Sequence, residues 1–402
     1  MLAMASSTGV APPSSPNALE VVLQDTQQLE VMSYGSNASP TGGETKPAPM
    51  NPLLLASVCI GSWTALNYLF SREDSQKPPM MMPTQVFLDL LVGHTPGSST
   101  RTRLTVPQAS GDVEDGVDQS ALPAVARLLQ GLTAEGDTAL HMVASHGDNT
   151  DFLNCCGTID KRDHGLLFQI NSKGDTPLHC AARAGRSKMV SYLIQVATRR
   201  NRLHGLLRKE SRLKETALHD AVRIGNKDIV DRLLEADHEL GNYPREGTSP
   251  LYLAILLENH IIARTLHDRS NGDLSYSGPN GQNALHAATS HCAVITKDIL
   301  KWNNILTTQG DRNGSTPLHV ASSLWQSNGF KQLLEANPTP IYQADNNGLF
   351  PIHVAASVGA THTVRIILEN FPSSAGLRTA QGQTFLHVAI EKEKIPIVFF
   401  VC

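Results

Sequence analysis

One short phrase recurs eight times along the C-terminal two thirds of this 402-residue chain, and that recurrence restricts the fold more than any composition could. Each copy approximates G-x-T-P-L-H-x-A: Gly136–Ala144 (GDTALHMVA), Gly174–Ala182 (GDTPLHCAA), Lys214–Val222 (KETALHDAV), Gly247–Ile255 (GTSPLYLAI), Gly281–Ala288 (GQNALHAA), Gly314–Ala321 (GSTPLHVA), Gly348–Ala356 (GLFPIHVAA) and Gly382–Ile390 (GQTFLHVAI). A histidine column falls at positions 141, 179, 219, 286, 319, 353 and 387, with Tyr252 standing in once, in steps of 38, 40, 33, 34, 33, 34 and 34 residues. A unit repeated at such a period cannot bury its apolar face alone, so neighbours must stack into one continuous core.

A period near 33 that carries T-P-L-H-x-A is the ankyrin signature, in which each unit is a β-turn followed by two antiparallel helices. The expected fold is all-α, an ankyrin-repeat solenoid of helix-turn-helix units with β-turn fingers. Such an extended concave surface suits protein binding rather than chemistry. The sequence also lacks G-x-x-x-x-G-K-[ST], G-x-G-x-x-G, G-x-S-x-G and H-E-x-x-H, so no enzyme and no cofactor is expected.

Composition narrows the partners. A formal net charge of −4, with 41% apolar and 5% aromatic residues, gives no basic footprint for nucleic acid. The six cysteines, Cys59, Cys155, Cys156, Cys180, Cys292 and Cys402, form no C-x-x-C pair, which argues against a disulfide framework or a zinc site and for reduced thiols in the cytoplasm. The N-terminus has no basic start followed by a long apolar core, and no stretch reaches the 18 or so apolar residues a membrane helix needs.

Four regions follow from the patterning. Residues 1–48, rich in Ser, Pro, Gly and Thr, are expected to be a disordered tail with at most a short helix around Leu19–Leu29. Residues 49–72 have the spacing of a degenerate first repeat, with Leu54 and Leu55 on an inner helix, Gly61 at the turn, and Leu66, Leu69 and Phe70 on an outer helix. Residues 73–130 form an insertion, mostly loop, that holds a Met-Pro run, a helix over Thr84–Val92 and an acidic patch at Asp112–Asp118. Residues 131–402 are the eight-unit array, the last unit incomplete; its apolar ending IPIVFFVC is expected to favour self-association through the C-terminal repeat.

The histidine column is expected to be architecture, not catalysis or metal binding, because a solenoid holds successive copies one repeat apart and metal ligands must converge. Cys155 and Cys156 fall on the apolar pair of an outer helix and are expected to be buried. Information about partners should then sit in positions that vary between copies. These are Lys173, Arg183, Arg212, Arg223, Arg245, Arg312, Asn346 and Asn347, which shift from basic to neutral polar along the array. Arginines of this kind suit an acidic or phosphorylated protein segment. A further basic cluster, Arg199, Arg200, Arg202, Arg208, Lys209, Arg212 and Lys214, occupies the extra length of the 40-residue step and reads as a solvated surface, with a surface for an anionic partner as the alternative.

The array and phrases such as AEGDTALHMVA, KGDTPLHCAARAG and ETALHDAVRIG resemble plant ankyrin membrane proteins of the accelerated-cell-death type over roughly residues 50–402. The resemblance implies an interaction scaffold or signalling adaptor in defence or cell-death signalling linked to salicylic acid. In that family a cytosolic array precedes a C-terminal PGG domain with several membrane helices, which implies a location at the cytosolic face of the plasma membrane. The alternative expectation is a truncated form of an integral membrane regulator or channel-like protein, since those helices are not in this sequence.

Overall fold

The computed structural model describes residues 48–75, 82–93, 124–291, 293–324 and 327–401. They form helix pairs. The first is α1 (Pro52–Ile60) and α2 (Trp63–Asp74), followed by two helices of the insertion, α3 (Gln85–Val92) and α4 (Ala124–Leu129). The array then runs α5 (Ala139–His146) with α6 (Thr150–Arg162), α7 (Pro177–Arg183) with α8 (Ser187–Arg199), the short α9 (Leu203–Leu207), α10 (Ala217–Arg223) with α11 (Lys227–Ala236), and α12 (Pro250–Leu256) with α13 (His260–Arg269). It continues with α14 (Ala284–His291) and α15 (Ala293–Trp302), α16 (Pro317–Ser323) and α17 (Ser327–Ala336), α18 (Pro351–Val358) and α19 (Thr361–Asn370), and α20 (Phe385–Glu391) and α21 (Ile395–Val401). Inner helices pack on inner helices and outer on outer, unit after unit.

The motif explains each inner helix. Its Thr, extended at the N-cap, ends the finger, and a Pro often follows at the first helical position, where its missing N–H costs nothing. The Leu and Ala positions, for example Leu178, Ala181 and Ala182, are fully buried. Small side chains there let successive inner helices approach closely, so a larger residue would overpack the interface at about 1–3 kcal/mol.

The histidines fasten one unit to the next. The Nδ1 of His141 accepts the backbone N–H of Thr138 at 3.2 Å and lies 2.8 Å from its hydroxyl. A backbone N–H can only donate, so Nδ1 is bare and the ring proton sits on Nε2. That Nε2 donates to the carbonyl of Asp175 in the following unit at 2.9 Å. The same reach joins His179 to Glu215 (3.2 Å), His219 to Thr248 (2.9 Å), His286 to Ser315 (2.9 Å), His319 to Leu349 (3.0 Å) and His353 to Gln383 (3.2 Å). Tyr252 spans the same gap with its hydroxyl, which donates to the Gln282 side chain at 2.7 Å.

The fingers stack as well. The N–H of Arg212 donates to the carbonyl of Lys173 at 2.9 Å, that of Arg312 to Asn280 at 2.9 Å, and that of Asn346 to Asn313 at 2.9 Å. Gly174 shows why the motif opens on glycine: its φ is +80°, and a Cβ there would lie 2.7 Å from the backbone N of Arg212. In the third copy Lys214 takes this left-handed turn, φ +57°, with a side chain in place.

The described part of the insertion includes the expected helix after Thr84 and a second helix, and both pack on the array. Thr84 caps α3 through the N–H of Phe87, and Phe87 is fully buried against Leu53, Ala65 and Leu69 of the first helix pair. Ser62 adds a hydrogen bond to the carbonyl of Leu90 at 2.9 Å. Helix α4 contributes Val125 and Leu129 to the main core. The acidic patch and most of the Met-Pro run lie outside the described residues, as does the tail up to residue 47. At the other end, Ile397 is buried, Ile395 and Phe399 are exposed, and the Arg365 guanidinium lies 4.8 Å over the ring of Phe400. Among the described residues no helix is long and apolar enough to cross a membrane.

Candidate partner-binding surface

On the inner helices of the second and third motif copies the exposed edge carries a closed ionic network. Arg183, on α7, holds Asp175 through Nη1 at 2.7 Å and grips Asp220 of α10 with Nε and Nη2 at 2.9 and 3.2 Å. Arg223 pairs with Glu215 at 2.6 Å and approaches Asp220 at 3.6 Å. Both aspartates are almost inaccessible. Burial pushes the Asp220 carboxyl up to about 6, against the pull of the two guanidinium groups. Removing an arginine here would strand a buried carboxylate, so the sequence signal of two arginines at one repeat position marks inter-unit cement first. The signal that could have revealed it is Asp220 itself, at a position where other copies carry Cys180, Leu253 or Val320.

Three of the seven residues in the basic cluster of the 40-residue step are likewise engaged within the array. Arg200 reaches back to Asp160 at 2.5 Å, and Arg208 reaches forward to Asp237 at 2.6 and 2.9 Å, to Glu239 at 2.8 Å and to the hydroxyl of Tyr243 at 2.9 Å. Arg202 stacks 4.1 Å over Phe168. The extra chain length therefore clamps the units on either side of it.

The finger tips present a different picture. Lys173, Arg212 and Lys214 are exposed and, among the described residues, make no ion pair; Leu213 between the last two is 58% exposed. Arg245 rests 5.4 Å from the ring of Tyr243. Arg312 is exposed, while Asn346 donates its side-chain amide to the Arg312 carbonyl at 3.0 Å and the Asn347 N–H donates to Asp345 at 2.9 Å. The eight candidates thus divide: Arg183 and Arg223 on inner helices, the other six on the fingers.

The chemistry of the remaining groups is quiet. Burial lowers the pKa of His141, His179, His219, His286, His319 and His353, that of His179 to about 4. Cys155 and Cys156 line the core, and burial pushes the thiol of Cys155 up to about 12, as it does that of Cys180. Among the described residues no group of His, Cys, Asp and Glu is arranged to hold a metal ion.

Comparison with known proteins agrees with this geometry. A family model of three ankyrin repeats matches residues 117–202 and 326–402, and a single ankyrin repeat matches residues 214–243. The chain carries ankyrin repeats. Among solved structures it is similar to the ankyrin repeat domain of Bcl-3, described as a unique member of the IkappaB protein family, at 24% identity and a TM-score of 0.48 over 56% of this chain and 99% of that one. No curated protein matches the chain. Ankyrin repeats are protein-interaction scaffolds, and that much of the function follows from the fold.

Proposed function

We propose that this chain is an interaction scaffold or signalling adaptor that holds an acidic or phosphorylated segment of a partner protein along the fingers of its second and third motif copies. One observation carries the reading. Lys173, Arg212 and Lys214 stand side by side, joined through the Arg212 N–H to the Lys173 carbonyl, and are exposed without an internal carboxylate, whereas Arg183 and Arg223 nearby are consumed by Asp175, Asp220 and Glu215. Guanidinium and ammonium groups left unpaired at a tip are available for charge-assisted bonds to carboxylate or phosphate. Leu213 adds an apolar contact among them. Arg245, Arg312, Asn346 and Asn347 extend the same row of tips toward the C-terminal units. The resemblance of the repeat phrases to the plant accelerated-cell-death proteins supports a setting in defence or cell-death signalling at the cytosolic face of the plasma membrane.

The test is charge reversal at the tips. A Lys173→Glu, Arg212→Glu, Lys214→Glu variant, tagged and purified from its native tissue beside the unaltered chain, should lose its principal partner while keeping the same circular dichroism spectrum. Phosphatase treatment of the extract, applied to the unaltered chain, separates a phosphorylated partner from an acidic one. Equal recovery of the partner by the triple variant would sink the reading.

A further inference from the structure

The fifth finger, like the fourth with Pro244 at the same place, lacks the side chain that closes the other turns. In the fingers at 171–175, 311–315, 345–349 and 379–383 the first side chain closes the turn by accepting two backbone N–H groups: Asn171 from Lys173 and Asp175, Asp311 from Asn313 and Ser315, Asp345 from Asn347 and Leu349, Thr379 from Gln381 and Gln383. The fifth has Gly278 at that place. Its lack of a side chain is required by the substitution of tyrosine for histidine one unit earlier, because a Cβ on Gly278 would lie 2.3 Å from the ring of Tyr252. The loop closes instead as a two-residue hairpin at Asn280–Gly281, both left-handed, with Ser277 bridged to Asn283.

Beneath this hairpin lies a cleft of about 340 Å³, walled by Tyr276, Gln282, Asn283, Asn303, Leu306 and Gln309. Its carboxamides are oriented by the protein. Asn303 Oδ1 accepts the N–H of Ile305 at 3.2 Å, Gln282 Oε1 accepts the Tyr252 hydroxyl at 2.7 Å, and Gln309 Oε1 faces the amide of Asn283 at 3.5 Å. Asn283 is itself fixed by the N–H groups of Leu285 and His286 and donates to the Leu306 carbonyl. Oxygens turned to the protein leave the NH₂ ends of Gln282, Asn303 and Gln309 without an acceptor among the described residues, so the cleft offers donors. The side chain of Arg312 crosses Gly281 in the cleft wall, its Cγ 3.3 Å from where a Cβ would be, and Arg312 makes no ion pair among the described residues. The carboxylate of Asp311 is turned into its own finger.

From this arrangement we infer that the cleft is a subsite for the carboxylate of an aspartate or glutamate side chain in an extended partner segment. Its volume is at the lower end for ligand pockets, enough for one side chain and not for a cofactor. Amide donors alone would accept any carbonyl; the unpaired guanidinium of Arg312, whose Cγ lies beside Gly281 of the cleft wall and leaves it within side-chain reach, favours a charged one. The inference deepens the scaffold reading and rests on it only for the source of the carboxylate.

Because the site can be probed without any partner, its failure is distinct from failure at the finger tips. The full ¹⁵N-labelled chain is titrated with N-acetyl-glutamate N-methylamide while the side-chain amide signals are followed. The signals of Gln282, Asn303 and Gln309 should move together and saturate at millimolar probe, and the uncharged N-acetyl-glutamine N-methylamide should bind about five-fold or more weakly, the usual margin of a charge-assisted over a neutral hydrogen bond. Gln309→Ala should abolish the response, and Arg312→Gln, at an exposed position that leaves the fold intact, should erase the preference for the charged probe. No saturation, or equal response to both probes, overturns the proposal. Tighter binding of N-acetyl-glycine would assign the cleft to a chain terminus and so overturn the side-chain assignment.

Discussion

At the residue scale, the histidine column makes stability depend on pH in a direction set by burial. Six imidazoles are held below their ordinary value of 6.5, desolvation being the main cause in each. The unfolded chain therefore binds protons that the folded chain refuses. Stability is fully present above about pH 6.5 and is lost as the pH falls through and below that value. Asp220 acts in the opposite sense: with its carboxyl raised to about 6, its share of stability is present at low pH and lost as pH rises through 6. One carboxyl cannot offset six imidazoles, each of which also loses, when protonated, the Nδ1 lone pair that accepts the backbone N–H three residues earlier. The thermal midpoint should fall steadily between pH 7 and pH 5, by several degrees; scanning calorimetry in buffers of matched ionic strength that found a flat or rising midpoint would contradict the assignment of neutral, Nε2-protonated rings.

At the scale of single elements, α3 is the piece whose role was least visible in the sequence. Its existence could be read from Thr84 and the apolar run after it, since a hydroxyl N-cap before such a run is a helix start. Its docking could not, because the residues that receive Phe87, namely Leu53, Ala65 and Leu69, belong to a pattern that looked complete as a helix pair. The inner-helix arginines show the same limit. Periodicity placed Arg183 and Arg223 at one position of successive units, but that they face Asp175, Asp220 and Glu215 depends on how neighbouring units align, which a one-dimensional pattern does not contain. The cleft under the fifth finger was hidden for a like reason, as its hairpin has Gly278 meeting a tyrosine of the preceding unit. If α3 covers the first helix pair as described, Phe87→Ala should leave a cavity and cost about 3–4 kcal/mol locally. The loss should appear as faster amide exchange in α1 and α2, with exchange from α10 onward unchanged; unchanged exchange in α1 and α2 would mean that Phe87 is not the element's anchor.

At the scale of the whole array, stability is a chain of nearest-neighbour interfaces made of packed helices and, at most of them, a ring-to-carbonyl bond and a finger-to-finger bond. Such a molecule responds to a single lesion according to where the lesion lies. His319→Ala removes the ring that satisfies the Thr316 N–H and the donor that reaches Leu349, leaving buried polar groups unpaired at a cost of about 2 kcal/mol. In a globule with one core this cost would be shared by every residue that unfolds globally. In a linear array it falls on the interface between the sixth and seventh motif copies, and the units beyond it, α18 to α21, can detach without the rest. Hydrogen exchange of His319→Ala should therefore show protection reduced roughly 30-fold over residues 351–401, the factor that 2 kcal/mol represents, while residues 139–236 keep theirs. A uniform fall in protection along the chain would show that the units unfold as one cooperative body, and the picture of independent neighbour interfaces would have to be given up.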